Sequence, residues 1–365
     1  MRLPDYAGGG LVNLVAELEH RLIGSSVAPR LAEELARLIP SGDSYLLFLF
    51  DGLGDHQLAH PSAGPLALSR RAALDAPFPS TTTASLASVV TGLPPAQHGL
   101  LGYQLWMPEL DLVVNTLQWT TLWGDPVDYR FDELLPAPNL WERLARAGVE
   151  PITIQPGDFL ESPLSRVLYR GARFEPVFTA DEMVEAALAL ASHPGRLLLV
   201  YLPHVDVAAH TRGQASQMYV EAIGLAAEVW QRVASRLPDG TAMVGTSDHG
   251  HVDVPPERRT ELGRLAEQEF IVYGDSRMTF LRGDPERAAS LAETLPASWV
   301  PLEEMRSWWG PGPPHPSFEE RAPTGALVPA PGHILLHRFS DRRLIGAHGG
   351  LTEEELRVPL LVGGA

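Results

Sequence analysis

The apolar positions of this chain follow two periods in turn. Through residues 11–22 and 27–38 they recur every three or four places with charges between them, which predicts two amphipathic helices. Residues 44–50, Ser-Tyr-Leu-Leu-Phe-Leu-Phe, form an almost unbroken apolar run instead. That is the pattern of a strand buried on both faces of a parallel sheet. The two patterns then alternate: a helix over 139–147 stopped at Gly148 and a strand over 149–154, a helix over 181–192 and a strand over 196–202, a helix over 221–237 and a strand over 241–246. One more helix is expected over 85–91, opening after Pro79-Ser80-Thr81-Thr82-Thr83 and stopped by Gly92-Leu93-Pro94-Pro95. Such alternation predicts a doubly wound α/β fold, a mostly parallel sheet flanked by helices, with ligands at the carboxyl ends of its strands.

The rhythm breaks between 255 and 343. Strands over 269–273 and 277–281 are expected to pair, 286–294 reads as a helix, and 308–331 is dense in proline and glycine. We expect residues 255–343 to be a small inserted cap on a catalytic core made of 1–254 and 344–365. The chain would re-enter that core at His348 and a strand over 357–362.

Composition narrows the functional classes. With 365 residues and 45% hydrophobic content the chain can bury a large core. A net charge of -17 argues against a nucleic-acid polymer as partner, since phosphate backbones are held by clustered Lys and Arg. A small phosphate ester is still admissible, because bound divalent cations reverse the local field. The lack of cysteine excludes disulfides, thiolate metal sites and a cysteine nucleophile, and suits a reducing compartment. No stretch approaches the roughly 20 apolar residues of a membrane span, and Met1-Arg2-Leu3-Pro4-Asp5 runs into Gly8-Gly9-Gly10 without an apolar signal core. The expectation is a cytoplasmic protein with no membrane partner.

Candidate chemistry sits where the sheet rule puts it. Asp51 follows the run 44–50 and is flanked by Gly52-Leu53-Gly54. Asp206 and His210 lie four apart after the strand 196–202, a spacing that shares one helical face. Asp248-His249-Gly250 follows the strand 241–246; adjacent residues cannot share a face of a regular element, so their joint use requires an irregular turn. His348-Gly349-Gly350 comes from a separate segment. Together these residues offer enough oxygen and nitrogen atoms for two metal ions. The hydroxyl run Ser80-Thr81-Thr82-Thr83 is either a plain helix-capping cluster or, beside these ligands, the candidate nucleophile, where a cation would lower the hydroxyl pKa and a helix N-terminus receive the phosphate. His251 is either a further ligand or a surface histidine, with the surface reading favoured, and His56, His60, His193, His315 and His333 read as solvated loop residues.

Taken in order, Asp51, Pro79-Ser80-Thr81-Thr82, Thr91-Gly92-Leu93-Pro94-Pro95-Ala96-Gln97-His98-Gly99, Asp206-x-x-x-His210, Asp248-His249-Gly250 and His348-Gly349 resemble the alkaline phosphatase superfamily, and within it the type I phosphodiesterase / nucleotide pyrophosphatase family. The resemblance spans residues 44–362. It implies an alkaline-phosphatase-like fold, two zinc ions and a phospho-threonine intermediate on Thr82 rather than Thr81 or Thr83. Asp51, Thr82, Asp248 and His249 would surround one ion, and Asp206, His210 and His348 the other. Carboxylate and imidazole ligands also accept manganese or iron. The implied substrate is a small phosphate ester, a nucleotide among the candidates.

Two departures stand out. The family continues after its nucleophile with Phe-Pro-Asn-His, where this chain has Thr83-Ala84-Ser85-Leu86, and Tyr103 occupies the position of an Asn that holds a phosphoryl oxygen. Either the Tyr103 hydroxyl or Asn115 is a candidate replacement. Tyr103, Trp106, Trp119 and Trp123 could stack on a base or simply pack. The missing monoesterase-branch Arg leans toward a diester or pyrophosphate. A phosphomonoesterase, phosphonate hydrolase or phosphomutase of the same superfamily, and a metal-bearing binding protein of low turnover, are the alternatives. A sulfatase is disfavoured, since the Cys/Ser-x-Pro-x-Arg setting of its nucleophile is absent.

Overall fold

The computed structural model describes residues 1–130 and 134–364. Its centre is a seven-stranded sheet. In chain order the strands are β1 (Ser44–Phe50), β2 (Arg70–Asp75), β3 (Glu150–Pro156), β4 (Arg173–Val177), β5 (Arg196–Leu202), β6 (Thr241–Thr246) and β7 (Arg357–Gly363). Across the sheet they run β2-β7-β6-β1-β5-β3-β4. The pairs β6–β1, β1–β5, β5–β3 and β3–β4 are parallel, and β7 lies antiparallel to both its neighbours. The α/β expectation therefore holds, with one strand reversed.

The apolar run of β1 is explained by which face each residue meets. Tyr45, Leu47 and Leu49 join one buried cluster with Leu197, Leu199 and Val244, while Leu46, Phe48 and Phe50 join the opposite one with Leu198, Val200 and Met243. Burying a large apolar side chain on either face stabilises by about 1.5–3 kcal/mol, so neither face tolerates a polar residue. Helices Ala180–Ala191 and Gln217–Ala234 cover the second face, while Leu11–Ile23 and Thr82–Thr91 cover the first. Helix Leu140–Arg146 starts on an Asn139–Glu142 capping box and ends before Gly148, as its sequence predicts.

The expected helix over 27–38 is a correction. Only Glu33–Ala36 is helical there. Pro29 cannot continue a helix, and its carbonyl instead accepts a hydrogen bond from Asn13 Nδ2 at 2.8 Å. Strands β2 and β4 were not anticipated, nor was a three-stranded sheet of Gln104–Met107, Leu112–Asn115 and Thr120–Thr121.

Ile271–Asp275 and Met278–Arg282 form the anticipated antiparallel hairpin, extended by Gly325–Pro329 and Ala297–Pro301 into a four-stranded sheet. Met278, Phe280, Trp309 and Phe318 from this region pack into the same cluster as Leu11 and Phe78. Below it, Arg277 makes a two-pronged ion pair with the fully buried Glu355, at 2.9 and 2.7 Å. Among the described residues no helix is long and apolar enough to cross a membrane.

Candidate active site

Parallel register brings three strand ends to one edge. Phe50 stands opposite Leu202, and Leu49 opposite Thr246, so the residues that follow these strands emerge side by side. Asp51 N–H donates to the Leu202 carbonyl at 2.9 Å, and Asp206 N–H to the Asp51 carbonyl at 3.0 Å. Asp206 and His210 share a face of helix His204–Arg212. After β6 the chain leaves regular structure, and Asp248 Oδ1 accepts from the N–H groups of Gly52 (3.1 Å) and His249 (3.0 Å). His348 arrives from the far side, held by a short bridge between Val252–Asp253 and Gly346–Ala347.

The seven side chains meet as two adjoining groups. In the first, His249 Nε2 lies 3.1 Å from Thr82 Oγ1, 3.5 Å from Asp51 Oδ1 and 3.4 Å from Asp248 Oδ2. In the second, His210 Nε2 lies 3.5 Å from Asp206 Oδ1 and 3.0 Å from His348 Nε2. The groups touch through the stacked rings of His249 and His348, whose centroids are 3.7 Å apart.

Hydrogen bonding aims these atoms at a cation. His210, His249 and His348 each place Nδ1 on a backbone carbonyl, of Gly346, Gly250 and Ser80, at 2.9, 3.1 and 2.9 Å. A carbonyl only accepts, so Nδ1 carries the proton and each Nε2 presents a lone pair to the site. Two such lone pairs face each other across 3.0 Å between His210 and His348. Asp51 Oδ1 and Asp248 Oδ2 are buried without a hydrogen-bond partner among the described residues. Burial, then repulsion from Asp248 and Asp206, pushes the Asp51 carboxyl well above its usual range, against a hydrogen bond from the Tyr201 hydroxyl. Burial acts the same way on Asp206, yet the imidazoles of His210, His251 and His348 hold it well below that range. These are donor sets of the type that divalent ions fill, and Asp51, Asp248 and His249 can close on one ion while Asp206, His249, His251 and His348 can close on another.

Thr82 stands apart from its neighbours. It is the first residue of helix Thr82–Thr91, and it alone of Ser80–Thr83 is not buried. Ser80 Oγ donates to the Gly350 carbonyl at 2.8 Å, Thr83 Oγ1 receives Thr116 Oγ1 at 3.0 Å, and Ser85 Oγ donates to the Asp248 carbonyl at 2.8 Å. The helix begins three residues before the expected start, which puts this hydroxyl at its N-terminus, where N–H groups favour a bound anion.

In front of the two groups lies a cleft of about 350 Å³. Thr82, Asp206, His210 and His348 line its floor, and Tyr103, Arg259, Asp275 and Phe339 are among its walls. Tyr103 reaches the cleft, whereas Asn115 does not line it: its Nδ2 donates to the Tyr103 hydroxyl at 3.0 Å and its Oδ1 accepts from Leu117 and Gln118 N–H. Trp106 and Trp119 are buried in the core, and Trp123 is exposed with its edge against Phe339, 4.9 Å between centroids. None of the three lines the cleft.

His251 corrects the sequence reading. It is 1% exposed, and its Nε2 sits 2.6 Å from Asp206 Oδ1. Burial pulls its pKa down to about 4. Glu355 was missed altogether; it accepts from Gly350 N–H and Thr352 Oγ1 and so anchors the loop that carries His348. The one signal for it was the acidic run Glu353-Glu354-Glu355 beside β7, which reads as a solvated surface.

A mostly parallel sheet with clustered Asp and His at its strand ends and a hydroxyl at a helix N-terminus defines an alkaline-phosphatase-like protein. The profile of the Type I phosphodiesterase / nucleotide pyrophosphatase family matches residues 46–349, and the chain belongs to that family. No curated protein sequence is similar enough to match. Among solved structures the fold is similar to an inactive form of murine ectonucleotide pyrophosphatase / phosphodiesterase 5 in complex with AMP, at 18% identity over 89% of each chain with a TM-score of 0.65. The human counterpart gives 18% identity over 87% of each chain and 0.62. Phosphonoacetate hydrolase from Sinorhizobium meliloti 1021 in complex with phosphonoacetate gives 16% identity over 89% of this chain and 91% of that one, and 0.62.

Proposed function

We propose that the protein hydrolyses phosphodiester or pyrophosphate bonds of small phosphate esters, nucleotides among them, through a phospho-threonine formed on Thr82. The observation that carries this reading is the placement of Thr82: the single unburied hydroxyl of its run, at a helix N-terminus, 3.1 Å from His249 Nε2 and so beside the first donor group. Two divalent ions, held by Asp51, Thr82, Asp248 and His249 and by Asp206, His210 and His348, would supply a lowered hydroxyl pKa and shielding of phosphoryl charge. Zinc suits this mixture of imidazole and carboxylate, and manganese or iron are compatible with it.

Thr82 Oγ1 attacks phosphorus as its proton is lost to solvent water in the cleft, the P–O bond to the leaving group breaks, and the departing oxygen takes up a proton from that water. Water then attacks the phospho-threonine and returns the free hydroxyl. Tyr103, supported by Asn115, faces the cleft where a phosphoryl oxygen would need a donor. Residues 255–343 act as the cap that shapes the leaving-group side, through Arg259, Asp275 and Phe339.

A second reading, hydrolysis of a phosphonate on the same residues, is motivated by Tyr103, which puts a phenol where phosphodiesterases of the family carry Asn. Rates on a p-nitrophenyl nucleotide ester, on p-nitrophenyl phosphate and on phosphonoacetate, each with added zinc, separate the readings. The proposal expects the diester to be turned over fastest. Turnover of phosphonoacetate alone would replace it with the second reading.

A further inference from the structure

Although His251 lies close enough to Asp206, His249 and His348 to be counted in their donor group, it belongs to neither of the ligand sets proposed for the two ions, yet it is built into the site as firmly as they are. We propose that His251 is a positioning residue that donates its Nε2–H to Asp206 Oδ1 and so fixes that carboxylate against the ion held with His210 and His348. The role rests on the two-ion reading.

Distance separates a positioning residue from a ligand. Around a tetrahedral zinc with bonds near 2.0–2.1 Å, neighbouring ligand atoms stand about 3.3 Å apart. The pairs Asp206 Oδ1–His210 Nε2, His210 Nε2–His348 Nε2 and Asp206 Oδ1–His348 Nε2 measure 3.5, 3.0 and 3.8 Å and bracket that edge. His251 Nε2 is only 2.6 Å from Asp206 Oδ1, too close for two atoms sharing an ion and right for a charge-assisted hydrogen bond. Oδ1 can accept this bond on one lone pair and face His210 and His348 with the other.

The hydrogen-bond pattern agrees. His210, His249 and His348 all anchor Nδ1 on a carbonyl and free Nε2. His251 does the reverse: its Nδ1 is buried with no partner among the described residues, and its Nε2 is engaged. A proton on Nε2 leaves Nδ1 as an unpaired acceptor, less costly than an orphaned donor-bearing imidazolium. The ring is also sterically seated. A Cβ at Gly52, whose φ is +74°, would come within 2.9 Å of His251 Cδ2, and one at Gly346 within 3.0 Å of its Nδ1. The His251 carbonyl is held by Gln57 Nε2 at 2.9 Å.

The test measures metal retention by the whole protein, loaded with zinc and dialysed against graded chelator. Wild type, His251→Phe, His251→Leu and His251→Gln are compared, with melting of each chelated protein as the fold control. Wild type is expected to hold two ions. The Phe and Leu variants, which cannot donate, should release one ion at a chelator level about 10–100-fold lower and keep the other as wild type does. His251→Gln, whose amide can donate, should recover most of the loss. Folded Phe and Leu variants that keep both ions at wild-type strength would overturn the role. So would a folded Gln variant that releases the ion as readily as Phe and Leu do, since a donor at this position would then not be what holds the ion. Wild type holding fewer than two ions would overturn the two-ion reading itself, and this role with it.

Discussion

The two halves of the site solve the same problem in opposite ways. The half at Asp51, Thr82, Asp248 and His249 brings two buried carboxylates to one imidazole, and oxygens on both carboxylates lack a partner. The half at Asp206, His210, His251 and His348 brings three imidazoles to one carboxylate, and His251 Nε2 already hydrogen-bonds to it at 2.6 Å. The opposite displacements of Asp51 and Asp206 express that contrast. The first half is an electrostatic vacancy that binding of a cation relieves. In the second, the carboxylate is held in advance by His251, and the lone pairs of His210 and His348 are left facing each other.

The largest expected effect falls on the first half. Thr82→Ala should lower kcat on a diester by about 10³-fold or more while leaving the melting temperature near wild type. Activity kept within tenfold would move the nucleophile elsewhere. Next, Glu355→Gln should cost roughly 3–5 kcal/mol in denaturant unfolding, because it leaves Arg277 buried without its counter-charge. It should loosen the ion near His348 more than the one near Asp51.

A smaller pair of changes tests the contrast by sign. In chelated protein Asp51→Asn should raise the stability by about 1 kcal/mol, and the melting temperature by about 1 °C, and Asp206→Asn should lower both by similar amounts. The pH dependence follows the same logic. The Asp51 contribution is present below the ordinary carboxylate pKa and is lost as pH rises through its elevated value. The Asp206 contribution is present above the ordinary value and is lost as pH falls through its depressed one. Equal signs for the two Asn variants would erase the distinction. Smallest of all, Tyr103→Phe should cost about threefold in kcat with little change in KM, the loss of one donor to a developing charge.

Much of this was legible in the sequence, for physical reasons that differ by residue. The run 44–50 had to be a two-faced strand, because an apolar residue at every position from 45 to 50 leaves no side for water. Asp51, Asp206 and Asp248 were readable because parallel register places strand ends together. The i,i+4 spacing of Asp206 and His210 survived as a helical face. His251 was not readable: its burial depends on the bridge between Val252–Asp253 and Gly346–Ala347, a pairing between segments nearly a hundred residues apart. Glu355 hid for the same reason, since its partner Arg277 lies in the turn between Ile271–Asp275 and Met278–Arg282, far away in sequence. Asn115 looked as able as Tyr103 to reach the substrate, and only the hydrogen bond between them shows which one faces the cleft.

The most direct test is a crystal structure of the zinc-loaded protein with anomalous scattering at the zinc edge. The account predicts two peaks about 3.5–4 Å apart. One should lie about 2.0–2.2 Å from oxygens of Asp51, Thr82 and Asp248 and from His249 Nε2, and the other at similar distances from Asp206, His210 and His348. A single peak, or two peaks with Thr82 Oγ1 outside bonding distance of either, would contradict it.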